Sequence, residues 1–116
     1  MKYLCLIYQD EKQDVSSAGV YADYQAFAQD IKRTGNYVGS HGLQRTDTAT
    51  TVRVRNGKVS TTDGPFAETK EQLGGYFLID AKDLNEAISI ASRIPSAKWG
   101  SVEVRPVWDT GGGGGA

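Results

Sequence analysis

Gly75-Tyr76-Phe77-Leu78-Ile79-Asp80-Ala81-Lys82-Asp83-Leu84-Asn85-Glu86-Ala87-Ile88 decides the fold. Tyr76 to Ile79 form an unbroken apolar run with no wet side, the texture of a strand covered on both faces. Asp83 then has the chemistry of a helix N-cap, and Glu86 three residues on is its capping-box partner. Leu84, Ala87, Ile88 and Ala91 mark the buried stripe of that helix, and Pro95 follows its end. A two-sided strand, Gly75–Ala81, therefore runs straight into an amphipathic helix.

The same unit stands at the start of the chain. Lys2–Gln9 reads as a strand, apolar from Tyr3 to Tyr8. Ser16 or Ser17 is the expected N-cap of the helix that follows. Val20, Tyr24, Phe27, Ala28 and Ile31 recur on one face of a 3.6-residue period, and Gly35 is placed to stop the helix at C′. Tyr37–Leu43 is a thinner strand, interrupted by Gly39 and Gly42. Thr50–Arg55 and Lys58–Thr62 flank Asn56-Gly57, a strong two-residue hairpin signal. Ser101–Val107 closes the chain as an alternating strand, Val102 and Val104 against Glu103 and Arg105.

The order is strand, helix, strand, hairpin, strand, helix, strand. That is an α+β, ferredoxin-like βαββαβ plan with an inserted β-hairpin. Its first and third main strands take the centre of the sheet, and these are the two strands apolar on both sides. Helices cover one sheet face only. The opposite face needs cover too, so the pattern predicts a homodimer stacked sheet to sheet.

A chain of 116 residues is one domain by size. Residues 1–108 form the expected folded part, and residues 109–116, a glycine run ending in Ala116, a disordered tail. Thirteen basic and 14 acidic side chains nearly cancel, which argues against direct binding of nucleic acid. No segment has the roughly 20 apolar residues of a membrane span. Cys5 is the single cysteine, reads as core, and excludes an internal disulfide. With no signal peptide evident, the expected location is the cytoplasm.

Between hairpin and central strand lies Asp63-Gly64-Pro65-Phe66-Ala67-Glu68-Thr69-Lys70-Glu71. A strand ends in an acid, turns on Gly-Pro, sets one aromatic and then lays out charges. With Gln72-Leu73-Gly74-Gly75-Tyr76-Phe77 after it, this segment resembles the signature of the DGPF proteins within the YCII-related family. Met1-Lys2-Tyr3-Leu4-Cys5-Leu6-Ile7-Tyr8, Thr50-Thr51-Val52-Arg53-Val54-Arg55 and Gly100-Ser101-Val102-Glu103-Val104-Arg105-Pro106 resemble the same proteins. The resemblance covers nearly everything except the glycine tail and implies a dimeric α+β barrel. For activity it implies two things: a His–Asp pair in a cleft, as in YCII-like relatives, or a link to transcription initiation and sigma factors, as for DGPF relatives.

His41 is the sole histidine, in Gly39-Ser40-His41-Gly42 at a strand end. Histidine suits proton transfer near neutral pH because the free imidazole titrates at about 6.5. Asp63, also at a strand end, is the candidate carboxylate to orient it. His41 is equally read as an exposed turn residue, and Asp63 as the head of an Asx turn with its carboxylate on following backbone N–H groups. Phe66 is expected to be buried as the anchor of its loop, or else to stack on a ligand. Arg53 and Arg55 share one face of the hairpin, with Val52 and Val54 on the other. They either grip an anion or form the wet face. Lys70 either holds an anion or lies on a solvated surface with Glu68 and Glu71. Trp99 and Trp108 read as packing or dimer contacts.

One His and one Cys do not make a usual zinc site, and no glycine-rich phosphate loop or nucleophile elbow is present, so no metal and no cofactor is expected. Two functions stay open. The first is binding of a small polar or anionic molecule in a dimer cleft, with His41 and Asp63 in acid–base work. The second is a non-enzymatic accessory or regulatory protein. A pocket lined by His41, Asp63 and an arginine favours the first; a filled cleft with an exposed apolar patch favours the second.

Overall fold

Two apolar strands lie side by side at the centre of a four-stranded antiparallel sheet. The computed structural model describes residues 1–13 and 18–108. The elements are β1 (Lys2–Gln9), α1 (Ala18–Arg33), β2 (Tyr37–Gly42), β3 (Thr50–Arg55), β4 (Lys58–Asp63), β5 (Gln72–Asp80), α2 (Leu84–Ser92) and β6 (Ser101–Pro106). The main sheet runs β2-β5-β1-β6, while β3 and β4 pair only with each other. This is the expected α+β, ferredoxin-like arrangement with the hairpin set aside. The expected cap at Ser16 or Ser17 and the glycine tail lie outside the described residues. No described helix is long and apolar enough to cross a membrane.

Register explains the one-sided core. Tyr3 pairs with Ile79, Cys5 with Phe77 and Ile7 with Gly75. Tyr3, Cys5, Ile7, Phe77 and Ile79 are all buried, facing Phe27 and Ile31 of α1 and Ala87, Ile90 and Ala91 of α2. Phe77 is the hub: Phe27 meets it edge-on at 5.0 Å and Tyr24 lies parallel to it at 6.5 Å. Such aromatic pairs contribute about 0.5–1.5 kcal/mol beyond area burial. Cys5 is fully buried, and burial pushes its thiol up to about 11, which makes it a packing residue.

The capping signals act largely as their chemistry demands. The Asp83 carboxylate accepts from the Glu86 N–H at 2.9 Å, while the Glu86 carboxylate accepts from the N–H of Lys82, one residue before the cap. Gly35 sits at φ +79°, the left-handed stop for α1, and Asn56 and Gly57 take φ +53° and +74° in the hairpin turn. Asp30 of α1 holds both Arg33 and Arg93, tying the two helical segments together.

Three expectations change. Leu84 and Ile88 are about half exposed, and Ile90 and Ile94 take the buried places instead. The stripe of α2 is shifted because the following 3-10 turn, Pro95–Lys98, continues the packing surface. The second change is in the hairpin. Its valine face is the more open one, with Val52, Val54 and Val59 exposed at 59%, 56% and 70%, while Thr51 and Arg53 are half-buried. Alternation had fixed which residues share a face but not which face the body covers. The third is Phe66, expected to be buried and found 82% exposed. Its ring lies 6.0 Å beneath the Arg53 guanidinium rather than in the core.

Candidate functional site

The helix-free face of the sheet carries the titratable groups. Its rows follow from register: His41, Tyr76, Leu6 and Glu103 lie across β2, β5, β1 and β6 in one line, and Gly39, Leu78, Leu4 and Arg105 in the next. Tyr8 and Leu73 continue the face beyond them. Leu4, Leu6, Leu73 and Leu78 are half-buried, giving an apolar centre with polar groups on both flanks.

A β-bulge aims His41 onto this face. Tyr37 pairs with Ile79 and Gly39 with Leu78, leaving Val38 as an extra residue. Without that residue, alternation would turn His41 to the same side as Tyr37, towards the helices. The bulge inverts the parity. Ser40 now faces the helices, where its hydroxyl meets the Tyr37 hydroxyl at 2.8 Å, and His41 points the other way. The strands must also run very close here. A Cβ on Gly75 would sit 2.9 Å from the His41 carbonyl oxygen, so glycine at 75 is what lets β2 dock beside β5.

His41 Nδ1 lies 2.8 Å from the Tyr76 hydroxyl. In one neutral tautomer Nδ1 accepts the phenol proton and Nε2–H is free to donate. In the other, Nδ1–H donates to the phenol oxygen and Nε2 is free to accept a proton. The protonated ring donates at both nitrogens. Tyr76 therefore orients the imidazole while leaving Nε2 for a ligand. Across the face, Tyr8 donates to Glu103 at 3.3 Å, and Glu103 also pairs with Arg105. Burial and the Glu103 carboxylate push the Tyr8 phenol up. In the sequence Tyr76 reads as one residue of an apolar run covered on both faces and not as a partner of His41. The available signal was alternation, which puts Tyr76 and Phe77 on opposite faces.

The other candidates stand elsewhere. Asp63 ends β4 and is exposed. Among the described residues no hydrogen bond or ion pair joins it to His41 or to any backbone donor. The turn after it is held by backbone instead: Gly64 N–H donates to Ala49 O at 2.8 Å, and the Thr51 hydroxyl donates to Gly64 O at 2.9 Å. Gly64 at φ +111° is the residue that needs to be glycine. The expected Asx turn is thus replaced by a cross-strand clasp. Arg55 donates to the Val54 carbonyl beside it, Arg53 covers Phe66, and Lys70 is exposed. Among the described residues no cluster of three or more His, Cys, Asp or Glu is arranged to hold a metal ion.

Two hollows adjoin these groups. One, about 550 Å³, lies between Tyr8 and Leu73 at the sheet end, the Arg45–Ala49 link and Pro65-Phe66-Ala67 of the acidic loop. Glu11 holds its rim by accepting from both the N–H and the hydroxyl of Thr46, which keeps the Glu11 carboxyl below its ordinary value. The second, about 540 Å³, lies under α1, bordered by residues 40–42 and 74–77. Asp63, Arg53 and Arg55 line neither.

The comparisons agree on kinship. The YCII-related domain matches residues 1–110. An uncharacterised protein of Rhizobium meliloti (strain 1021) is 39% identical, over 92% of this chain and 92% of its own length. With the two-helix, antiparallel-sheet fold, these matches place the chain plainly: it belongs to the YCII-related family.

Proposed function

We propose that the protein binds a small polar or anionic molecule as a homodimer whose helix-free sheet faces meet, with His41 handling a proton and Tyr76 orienting it. The observation that carries this reading is the 2.8 Å His41–Tyr76 contact on a face that no helix covers. A free imidazole nitrogen held beside a leucine patch suits a ligand with a polar head and a desolvated setting. The leucine centre supports the dimer, because a contiguous apolar face gains from being removed from water. Tyr76 replaces Asp63 as the group that positions His41 within one chain. Asp63, Arg53 and Arg55 enter this reading only as groups that the second copy brings across the interface.

The test is a thermal-shift screen of a metabolite library on the native chain, repeated with His41→Ala and Tyr76→Phe. A ligand at one hundred times its Kd adds about 2.7 kcal/mol of stability. A true ligand shifts the native chain, loses its effect in His41→Ala and is weakened in Tyr76→Phe. A library in which every stabilising ligand shifts all three proteins equally would contradict the assignment of His41. The second reading, an accessory protein that docks on another protein, is favoured by one observation: Phe66, Val59 and Trp108 are all at least 70% exposed. It predicts a chain that no small molecule stabilises.

A further inference from the structure

We infer that the hollow under α1 is a second binding site, for a neutral, flat, largely apolar molecule carrying one hydrogen-bond acceptor. It lies on the helix side of the sheet; His41 and Tyr76 are among its bordering residues, but by register their rings point to the other face. At about 540 Å³ it is within the size range of small-molecule sites. Among the described residues no Lys, Arg, Asp or Glu lines it, so apart from His41 at its border a charged ligand would meet no countercharge there. Its walls are aromatic and aliphatic, chiefly Val20, Tyr21 and Tyr24 of α1, Phe77 of β5 and Trp99. Tyr24 stacks on the buried Phe77, the two rings parallel to within 3°, so this part of the wall is one packed aromatic surface.

The polar requirement comes from Trp99. The Tyr24 hydroxyl is already bonded to the buried Ser96 hydroxyl. The indole Nε1–H of Trp99 is buried and, among the described residues, is the one buried side-chain polar atom with no partner. Buried donors are rarely left unpaired, and an orphan of this kind calls for an explanation. A carbonyl or ether oxygen on a guest beside the indole supplies the missing acceptor. As the ring stands the N–H has no exposed surface, so a guest in the hollow bonds to it only when the Trp99 side chain, itself part of the wall, rotates.

Benzamide, a neutral aromatic ring with a carbonyl, is the probe, and the chain reports on itself. It has two tryptophans, hence two indole N–H resonances in a ¹H–¹⁵N spectrum. Trp108 is 76% exposed and serves as the internal reference. Titration with benzamide should move the Trp99 indole resonance saturably, with a millimolar Kd suited to a fragment, and leave that of Trp108 in place. Ala28→Phe, on the lining of the hollow, should abolish the response. Followed by the backbone amides of Val20 and Phe77 in the same spectrum, since its indole signal is gone, Trp99→Phe should weaken benzamide about tenfold, the effect of one hydrogen bond, while leaving toluene binding nearly unchanged. The spectrum of each variant also shows whether it folds. No movement at Trp99 in the native chain, equal movement of both indoles, or unaltered binding in a folded Ala28→Phe would overturn the site. Equal loss of toluene and benzamide in Trp99→Phe would overturn the role given to the N–H.

Discussion

The main sheet and the β3–β4 hairpin are built from the same kind of ladder, yet they are held in different ways. In β5, backbone pairing on both sides is joined by Phe77 and Ile79 buried against two helices. In the hairpin, every residue of β4 is exposed and the valines of β3 face water. Isolated two-stranded hairpins are marginal in water. The body is thus stabilised by burial, and the arm by its Asn56-Gly57 turn, its ladder and the Gly64–Ala49 clasp at its base. Good local turn chemistry can form a hairpin without deciding which of its faces is covered. Among the described residues nothing covers the valine face.

That contrast can be broken by unequal responses to mutation. Ile79→Ala empties a fully buried site in the body and should cost about 2–5 kcal/mol in urea unfolding. A loss below about 1 kcal/mol would mean that the body is not the stabilised half. Asp83→Ala removes the bond to the Glu86 N–H and should cost about 1 kcal/mol, with no effect on hairpin amide exchange.

Acid should act at two carboxylates, Glu11 beside the link to the arm and Asp30 between the helical segments. Glu11 is held below its ordinary value by Thr46, and Asp30 by Arg33 and Arg93. A depressed carboxylate contributes stability above its unfolded-state pKa, near 4, and that contribution is lost as pH falls through the lower folded-state value. Unfolding midpoints should therefore fall below about pH 4, and Glu11→Gln should flatten part of that slope. A pH-independent midpoint between about 5 and 2 would contradict both assignments. The smallest effect is expected at Val59→Ala, within about 0.5 kcal/mol for a single chain at low concentration, because the side chain is 70% exposed. A larger loss that appears only as concentration rises would show the valine face to be covered by a second copy.

Much of the fold was legible because period and punctuation agreed. Tyr76–Ile79, Tyr3–Tyr8, the Asp83 cap, Gly35 and Asn56-Gly57 each specify their local structure by short-range chemistry. The site was less legible. His41 could be singled out as the only histidine, but its direction depends on Val38, an extra residue in β2 that nothing in Tyr37-Val38-Gly39 announces. Tyr76 was hidden in an apolar run that also served the core. Asp63 and Phe66 looked organised in sequence, yet a backbone clasp took over the role assigned to the carboxylate, and the cation beside Phe66 took the place of burial. Tertiary contacts, here between Gly64 and Ala49 and between Arg53 and Phe66, decided what local patterning left open.

The central claim is that the helix-free face bearing His41, Tyr76 and the leucines meets its like in a second copy. Light scattering on the eluting protein at micromolar concentration tests it most directly. The account predicts a particle of twice the 12.5 kDa chain mass, reduced to a single chain by Leu78→Arg in the centre of that face. A native particle of 12.5 kDa at that concentration would contradict it.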